Sequence, residues 1–353
     1  MVLVWLKRLL GLAILLLVLH FFWPVVKDLR GEQVRYKLHH AHWVWLPGIV
    51  AVAVASYCSL AWLNMLTLKP FGDHISFRDT LGMLTAVACA EVALPSAGAS
   101  GVAVRARLLA KYGYSVEVSG FSLIFESVFL AIAMAAVAIL GCVYILRSGI
   151  LPFRMAVGVT VALLAAAAWA GALWGGWQVL FNPRRSAGIV HRCATVWNRV
   201  AGRWRPLSEE LINQRAAVFQ EGVRQLSVVP RWRFLAAAYG RVLLDTLTLE
   251  LCFGMFGHWV HYGALLTGFG FTMVMSALAA LPFGLGLADL SLPTVFFQFG
   301  VPRVTSLAAG LTYRLVAFWL PRFIGYVSWT LMESRPGRAP AAVAPAEPPA
   351  PIE

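Results

Sequence analysis

The chain has 353 residues, of which 60% are hydrophobic and 13% are charged, and its mean hydropathy is +0.74. Because a soluble domain carries about 25% charged residues, most of this apolar surface must face lipid, which argues against a soluble catalytic domain. The formal net charge is +13. Since the basic residues lie between apolar segments, they indicate contact with anionic lipid headgroups rather than with nucleic acid.

Apolar segments long enough to span a membrane occur along most of the chain, at about 20 residues per span. They are 9–26, 44–68, 118–146, 155–180, 234–256, 259–281 and 304–331. Two shorter apolar pieces, 80–95 and 285–299, contain or adjoin Pro and Gly. Such pieces predict half-helices or re-entrant hairpins, which are tolerated at membrane depth only inside protein or beside a cavity. The Pro/Ala-rich tail 334–353 is predicted to be disordered.

Residues 182–233 form an Arg-rich segment with ten arginines against three acidic residues. The positive-inside rule predicts that this segment is cytoplasmic. Within it, Leu211, Val218 and Leu226 recur at roughly helical spacing, which is typical of an amphipathic helix on the inner leaflet. A solvated connector that only fixes the topology explains the pattern equally well. Counting the spans outward from this segment places 96–117 in the cytoplasm too.

Two distant pieces of the chain repeat the same order of features. Each opens with Leu-Pro and small residues, and the distance from Pro95 to Gly113 equals that from Pro282 to Gly300. A polar pair follows in each next span, at equal distances from the two prolines: Glu126-Ser127 and Tyr313-Arg314. This shared order favours duplication, although chance similarity between glycine-rich membrane loops is an alternative.

A duplication has a mechanical meaning in membranes. Many transporters consist of two repeats, and interrupted helices in both repeats meet near the midplane at the substrate site. A half-helix N-terminus at such a break offers about half a positive charge to an anion such as phosphate. The predicted fold is therefore all-α: a polytopic transmembrane bundle over 1–333, with two repeats that contain broken or re-entrant helices.

Ionisable residues interrupt several apolar segments. They are Glu91, Glu126, Arg241, Asp245, Glu250, Asp289, Arg314 and Arg322. Inserting one such residue at the centre of a membrane-spanning helix costs about 2.5–3.5 kcal/mol of free energy, so we expect each to have polar partners or water. Arg241 and Asp245 have the spacing of an ion pair within one helix. Arg322 lies near a predicted helix end, where it can reach the interface.

Three residues are the main candidates for the lining of a polar cavity: Arg105, Asp289 and Arg314. A guanidinium group can hold a phosphate by two parallel hydrogen bonds. The spacing of the histidines and cysteines favours no metal site. The chain contains no nucleotide-binding motif, and we expect no catalytic residue and no cofactor.

Three sets of residues carry a resemblance to a known family. The first set is a Pro/Gly turn followed by Gly101, Arg105 and Leu108-Leu109. The second set is Pro282, Gly284, Gly286 and Asp289, followed by Gly300-Val301-Pro302. The third set is Tyr313-Arg314 and Trp319-Leu320-Pro321. At these residues the chain resembles the lysylphosphatidylglycerol synthase transmembrane family, also called flippase-like membrane proteins, over most of 5–331. It departs from the family pattern at Val102, Ser127 and Phe283.

This resemblance implies a lipid translocase or lipid-binding module of the bacterial inner (cytoplasmic) membrane. We expect it to bind or flip a phospho- or isoprenoid-type lipid. The expected headgroup site comprises Pro95, Gly101, Arg105, Glu126, Pro282, Gly284, Gly286, Asp289, Tyr313 and Arg314. Because no aminoacyltransferase domain follows the spans, we expect no synthesis of lysyl-lipid by this chain.

Two other classes of function stay open. A non-transporting membrane protein would present lipid to a cytoplasmic lipid-modifying enzyme, or scaffold it, through the Arg-rich segment. An intramembrane enzyme has less support, because the sequence contains no HExxH, GxSxG or His-rich constellation.

Overall fold

The computed structural model describes residues 32–72, 74–93, 99–148, 171, 195, 208–278 and 287–335. All regular secondary structure in these residues is helical, which confirms the predicted all-α fold. The predicted spans 9–26 and 155–180, and the tail beyond 335, lie outside the described residues.

The helices are named in chain order. They are α1 (Glu32–His39), α2 (Leu46–Leu68), α3 (Phe77–Ala93), α4 (Ala99–Ala110), α5 (Val116–Ser148), α6 (Glu209–Val228), α7 (Arg231–Met255), α8 (Tyr262–Leu278), α9 (Leu287–Gln298), α10 (Arg303–Tyr313) and α11 (Leu320–Ser334). A π-helical turn, Arg314–Trp319, joins α10 to α11, so that these two form one long helix.

Long apolar helices match the predicted spans. The described residues contain three helices long and apolar enough to cross a membrane: Trp43–Phe71, Val116–Gly141 and Arg303–Ser334. Each coincides with a predicted span. Helix α7 coincides with the predicted span 234–256, and its 25 residues extend for about 37 Å. This length also exceeds the hydrocarbon core of about 30 Å.

Two pairs of shorter helices form hairpins. Helix α3 packs against α4, and α8 packs against α9. The first arm of each hairpin has 17 residues and the second has 12, so that the arms reach only about 25 Å and 18 Å. These arms agree with the predicted half-helices at 80–95 and 285–299. The turns at 94–98 and 279–286 lie outside the described residues.

The structure also describes parts of two other predicted segments. Residues 259–281 were expected to form a complete span, and their described part, 259–278, contains α8, the first arm of the second hairpin. Residues 96–117 were expected to be cytoplasmic, and their described part, 99–117, contains α4, whose Arg105 is buried in the bundle. A carboxylate partner, described below, neutralises that arginine.

Contacts between helix ends define one end of the bundle. The ammonium group of Lys111 donates hydrogen bonds to the carbonyls of Met332 and Glu333, at 3.2 and 2.6 Å. Arg335 forms an ion pair with Asp79 at 2.6 Å. The ends of α4 and α11 and the start of α3 therefore lie together. We name this end the basic face, for Lys69, Arg78, Lys111, Arg231 and Arg335.

The opposite end joins a different set of helix ends. The N–H of His42 donates to the carbonyl of Met255 at 2.8 Å, so the start of α2 meets the end of α7. Tyr144 stacks on His261, with ring centroids 4.9 Å apart, so the end of α5 meets the start of α8. We name this end the aromatic face, for Trp43, Trp45, Trp259 and Tyr262.

The two faces exchange roles between the two halves of the chain. In the first half, α2 runs to the basic face, the α3–α4 hairpin enters from that face, and α5 returns to the aromatic face. In the second half, α7, the α8–α9 hairpin and α10–α11 run in the opposite sense. A shift of 187 positions carries Val116, the start of α5, onto Arg303, the start of α10. The chain is therefore an inverted repeat, an arrangement typical of transporters.

Glycines confirm this correspondence. The same shift carries Gly113 onto Gly300, and the two share the left-handed conformation, with φ of 87° and 83°. Each glycine ends the second arm of its hairpin and turns the chain into the following long helix. Glycine adopts this conformation without the steric cost that a Cβ would add.

Each hairpin packs against the long helix of the other repeat. Helix α3 lies along α11, and α8 lies along α5. Gly325 leaves no room for a Cβ against the backbone of Thr85, and a Cβ on Gly270 would lie 2.8 Å from Cα of Ala138. Small residues at these crossings let the backbones approach closely, as is usual in membrane bundles.

Helix α6 is the described part of the Arg-rich segment. A Cβ on Gly222 would lie 2.5 Å from Phe71 and 2.9 Å from Phe121, and Val223 and Leu226 are fully buried. Gly222, Val223 and Leu226 of this predicted amphipathic helix thus pack on the basic face of the bundle.

Candidate functional site

Charged side chains collect halfway between the two faces. Glu126 lies ten residues, about 15 Å, beyond the start of α5, and Arg241 lies ten residues beyond the start of α7. Arg322 lies twelve residues, about 18 Å, before the end of α11. All three distances start from the basic face and reach the middle of a core of about 30 Å. We name this set the charged layer: Glu91, Arg105, Glu126, Arg241, Asp245, Arg314 and Arg322.

The first group in the charged layer is a buried ion pair. Arg105 is only 2% exposed, and its Nη2 donates to Oε2 of Glu126 at 2.8 Å. The same nitrogen donates to Oγ of Ser122 at 2.9 Å, and Asn64 Nδ2 donates to the Glu126 oxygen at 2.8 Å. Each charge is thus neutralised and hydrogen-bonded, as burial requires. Arg105 is held by protein groups rather than presented to a cavity.

The second group lies between α2 and α7. Arg241 and Asp245 form the ion pair that their spacing predicts, at 3.1 Å. Ser56 Oγ donates to Oδ1 of Asp245 at 2.7 Å and accepts from Arg241. The guanidinium carbon of Arg241 lies 4.5 Å from the centre of the Tyr57 ring. Since α2 and α7 are equivalent helices of the two repeats, this group lies between the repeats.

The third group is centred on one aromatic ring. The guanidinium carbons of Arg314 and Arg322 lie 4.5 and 3.3 Å from the ring centroid of Phe318. All three residues lie in or beside the π-helical turn, a feature frequent at functional sites. Nη1 of Arg322 donates to the carbonyl of Phe318 at 2.6 Å. Its Nε is buried and has no hydrogen-bond partner among the described residues.

Glu91 joins the first group to the third. Its carboxylate interacts electrostatically with Arg322 and, more weakly, with Glu126 and Arg105. A Cβ on Gly101 would lie 2.5 Å from Cγ of Glu91. The glycine at this position therefore makes space for a carboxylate between α3 and α4. The hydroxyl of Ser100 donates to the carbonyl of Ala90 at 3.0 Å and so links α4 to α3 beside Glu91.

The sequence-predicted site residues fall into two sets. Gly101, Arg105, Glu126, Tyr313 and Arg314 belong to or border the charged layer, although Arg105 is paired with Glu126 and not with Arg314. Tyr313 is buried and interacts electrostatically with Asp245 and Arg241. The other predicted residues, Pro95, Pro282, Gly284 and Gly286, lie outside the described residues, and only the backbone of Asp289 is described, near the start of α9.

Sequence reasoning missed the role of Arg322. It was interpreted as a residue near a helix end, but it is 9% exposed and lies in the middle of the long helix. The sequence signal is its spacing: Arg314, Phe318 and Arg322 recur every four residues and share one helix face. Ser56, Tyr57 and Asn64 were missed too, because single polar residues in an apolar span give no pattern.

A family model and a curated relative match this chain, the first over most of its length and the second over a quarter of it. A family model described as the lysylphosphatidylglycerol synthase TM region matches residues 8–325. A UPF0104 membrane protein of Methanothermobacter thermautotrophicus is 31% identical over 85 residues, which is 24% of this chain. The match spans 25% of the length of that relative.

Proposed function

The chain belongs to the lysylphosphatidylglycerol synthase TM-region family, and from that premise we propose that it binds a polar lipid and moves it between leaflets. The lipid is of the phospho- or isoprenoid type, with an anionic headgroup. The protein acts as a translocase without a catalytic step, in the bacterial cytoplasmic membrane. Its basic face lies on the cytoplasmic side, as the positive-inside rule requires.

The observation that carries this proposal is the pair of arginines on the Phe318 ring. Two like charges beside one ring repel each other, and burial in a low dielectric strengthens that repulsion. A phosphate between Arg314 and Arg322 would relieve it and would accept a charge-assisted hydrogen bond from Nε of Arg322. The carboxylate that acts on Arg322, Glu91, would keep the site from binding the anion irreversibly.

The inverted repeat supports movement rather than binding alone. Rocking one repeat against the other around a fixed midplane site gives alternating access in many transporters. The charged layer lies at that depth, and its second group lies between α2 and α7, where the repeats meet. A headgroup held there would be halfway between the leaflets.

The proposal is tested by lipid exchange in vesicles. The purified protein is reconstituted in phosphatidylcholine liposomes that contain a trace of NBD-labelled phosphatidylglycerol, and dithionite bleaching measures the label in the outer leaflet. We expect the Arg322→Gln variant to exchange the label about 10–100-fold more slowly, because a hydrogen bond to a charged group contributes about 1.5–3 kcal/mol. Arg322→Lys keeps the charge but not the planar stack on Phe318 and should be intermediate.

A matched control separates the site from general effects of charge. Arg231→Gln removes an arginine at the basic face, where the side chain is exposed, and should leave the rate unchanged. Exchange by Arg322→Gln at the wild-type rate would refute the headgroup role of the Phe318 site.

A second candidate function is favoured by helix α6. Because Val223 and Leu226 are packed on the bundle, the opposite side of α6, with Arg224 exposed, is held at the basic face. Such a surface suits a cytoplasmic lipid-modifying enzyme that receives lipid from this protein. Co-purification of such an enzyme, lost when the exposed residues of α6 are replaced, together with no lipid exchange in vesicles, would favour this function over transport.

A further inference from the structure

A narrow groove runs along the long helix α10–α11. Its volume is about 270 Å³, and its lining on this helix extends from Val316 to Arg335. Nineteen residues of helix separate these two, which is about 28 Å. The groove is therefore almost as long as the hydrocarbon core of about 30 Å. Its volume is below the 300–1,000 Å³ of an ordinary ligand pocket, so it suits a slender occupant.

Two helices in turn form the wall of the groove that faces α10–α11. Near the basic face the wall is α3, with Gly82 and Thr85, and toward the aromatic face it is α2, with Val50 and Ala53. These side chains are small or apolar. Since α3 is only one arm of a hairpin, α2 has to continue the wall beyond it. The groove thus continues along α10–α11 for about 28 Å, lined first by α3 and then by α2.

The end of the groove at the basic face carries the charges. Arg78, Asp79 and Arg335 line it, and Arg78 is exposed. Partial burial alone would raise the pKa of Asp79, but hydrogen bonds from Arg335 and Ser76 outweigh it and hold the pKa below its ordinary value. Asp79 is thus ionised and forms an ion pair with Arg335. The net charge of this rim is positive, which suits a phosphate.

Midway along its length, the groove touches the charged layer. Tyr57 lines the groove, and the same ring lies under the guanidinium of Arg241. Tyr57 also interacts electrostatically with Arg322. A chain in the groove would therefore pass directly beside the site that receives the headgroup.

We infer that the groove holds the hydrocarbon chain of a lipid phosphate whose single chain is longer than one leaflet, the chemistry of a polyisoprenyl phosphate. This rests on the proposed function and names its substrate class. An acyl chain of a glycerophospholipid occupies one leaflet, about 15 Å, and would fill only half of the groove. With the phosphate first at Arg78 and later at Arg322, the chain would stay in the groove while the headgroup moves.

The preference for chain length comes from packing. A lipid tail gains no hydrophobic free energy when it leaves the bilayer for a protein groove, so the gain comes from van der Waals contact along the whole length. Lipids with the same phosphate and different chains therefore isolate the role of the groove.

The test measures binding of three phosphomonoesters to the full-length protein in phosphatidylcholine nanodiscs, by native mass spectrometry. They are undecaprenyl phosphate, farnesyl phosphate and phosphatidic acid. We expect undecaprenyl phosphate to bind about tenfold more tightly than the other two. Equal affinity for all three would overturn the inference, because the headgroup alone would then decide binding.

Two variants locate the effect. Ser328→Phe fills the groove and should remove the preference for the long chain while farnesyl phosphate still binds, which shows that the variant is folded. Val327→Phe adds the same ring at the neighbouring position, which is 54% exposed and outside the groove, and should keep the preference. A preference that survives Ser328→Phe would overturn the inference.

The same assay distinguishes this inference from the proposed function. If Arg322→Gln weakens all three lipids and Ser328→Phe has no effect, the Phe318 site stands and the groove fails. If Ser328→Phe removes the chain preference and Arg322→Gln changes neither binding nor exchange, the groove stands and the midplane headgroup site fails.

Discussion

The buried pair of Arg105 and Glu126 gives the sharpest prediction about stability. In the Glu126→Gln variant, the volume is kept but the negative charge is lost. Arg105 is then left 2% exposed with only neutral acceptors, the hydroxyl of Ser122 and the oxygen of the new amide. Removing one partner of a buried ion pair costs about 3–5 kcal/mol, because the other charge stays buried without compensation. We expect Glu126→Gln to lose at least about 3 kcal/mol of the free energy of unfolding.

The assay is unfolding of the purified protein by SDS in mixed micelles, followed by circular dichroism. Glu221→Gln is the matched control, since its partner Arg224 is on the exposed side of α6 and an exposed pair contributes little. Its unfolding midpoint should equal that of the wild type.

A double substitution separates the charge from the packing. Arg105→Met with Glu126→Leu replaces the pair by apolar side chains of similar size and should recover most of the stability lost in Glu126→Gln. The single variants Arg105→Met and Glu126→Leu complete the cycle that gives the coupling energy of the pair. If Glu126→Gln unfolds at the wild-type midpoint, Arg105 does not depend on the carboxylate, and the description of the charged layer is wrong.

Further predictions concern glycines, each measured by the same unfolding assay. Gly101→Ala should lose about 1–3 kcal/mol of the free energy of unfolding, because its Cβ would lie 2.5 Å from Glu91. Its control is Gly120→Ala, which should gain up to about 1 kcal/mol from helix propensity, because a Cβ at Gly120 would meet nothing within 4 Å. Equal effects of the two substitutions would contradict the close contact of Gly101 with Glu91. Gly325→Ala should reduce folded protein most, because the backbone of Thr85 cannot move aside, and wild-type yield would show that α3 and α11 are farther apart. Gly300→Ala should lose about 1–2 kcal/mol through its left-handed φ of 83°, and no loss would mean that the turn has another conformation.

Much of the fold could be predicted from the sequence. Apolar runs predict membrane-spanning helices, because a helix satisfies all its backbone hydrogen bonds internally within lipid. Helices α2, α5 and α10–α11 agree with this prediction. The spacing from Pro95 to Gly113 and from Pro282 to Gly300 predicts the repeat. The sequence could not show that the second repeat is inverted, because direction depends on which helix ends meet in space. It could not show that α8 is one arm of a hairpin either, because its residues are as apolar as those of a full span.

The candidate site was less predictable. Arg105 and Arg314 were identified because arginines in apolar segments are conspicuous, but their partners come from other helices. Glu126 lies 21 positions from Arg105 in the sequence, and Asn64 lies on a third helix. No local pattern connects such residues. The packing of α3 on α11 brings Glu91 to Arg322, and only the structure shows it.

The repeat is symmetric in its backbone but not in its charges. The shift of 187 positions that relates the halves pairs residues of the charged layer with uncharged residues. The charged residues Glu91, Arg105 and Glu126 correspond to Leu278, Leu292 and Tyr313, and the charged residues Arg314 and Arg322 correspond to Ser127 and Ala135. Four of these charged residues lie on the first hairpin or on the last long helix: Glu91, Arg105, Arg314 and Arg322. Both equivalent contacts are close-packed, that of α8 with α5 through Gly270 and Gly141 and that of α3 with α11 through Gly325.

This asymmetry limits where a headgroup can travel. A charged group that crosses a bilayer needs polar partners at the midplane, because its cost there is several kcal/mol. The contact of α3 with α11 supplies them through Glu91 and Arg322, and the groove lies along the same contact. At the equivalent positions, Leu278 and Ala135, the contact of α8 with α5 supplies no ionisable side chain. Under the proposed transport function, the headgroup would therefore pass along α11.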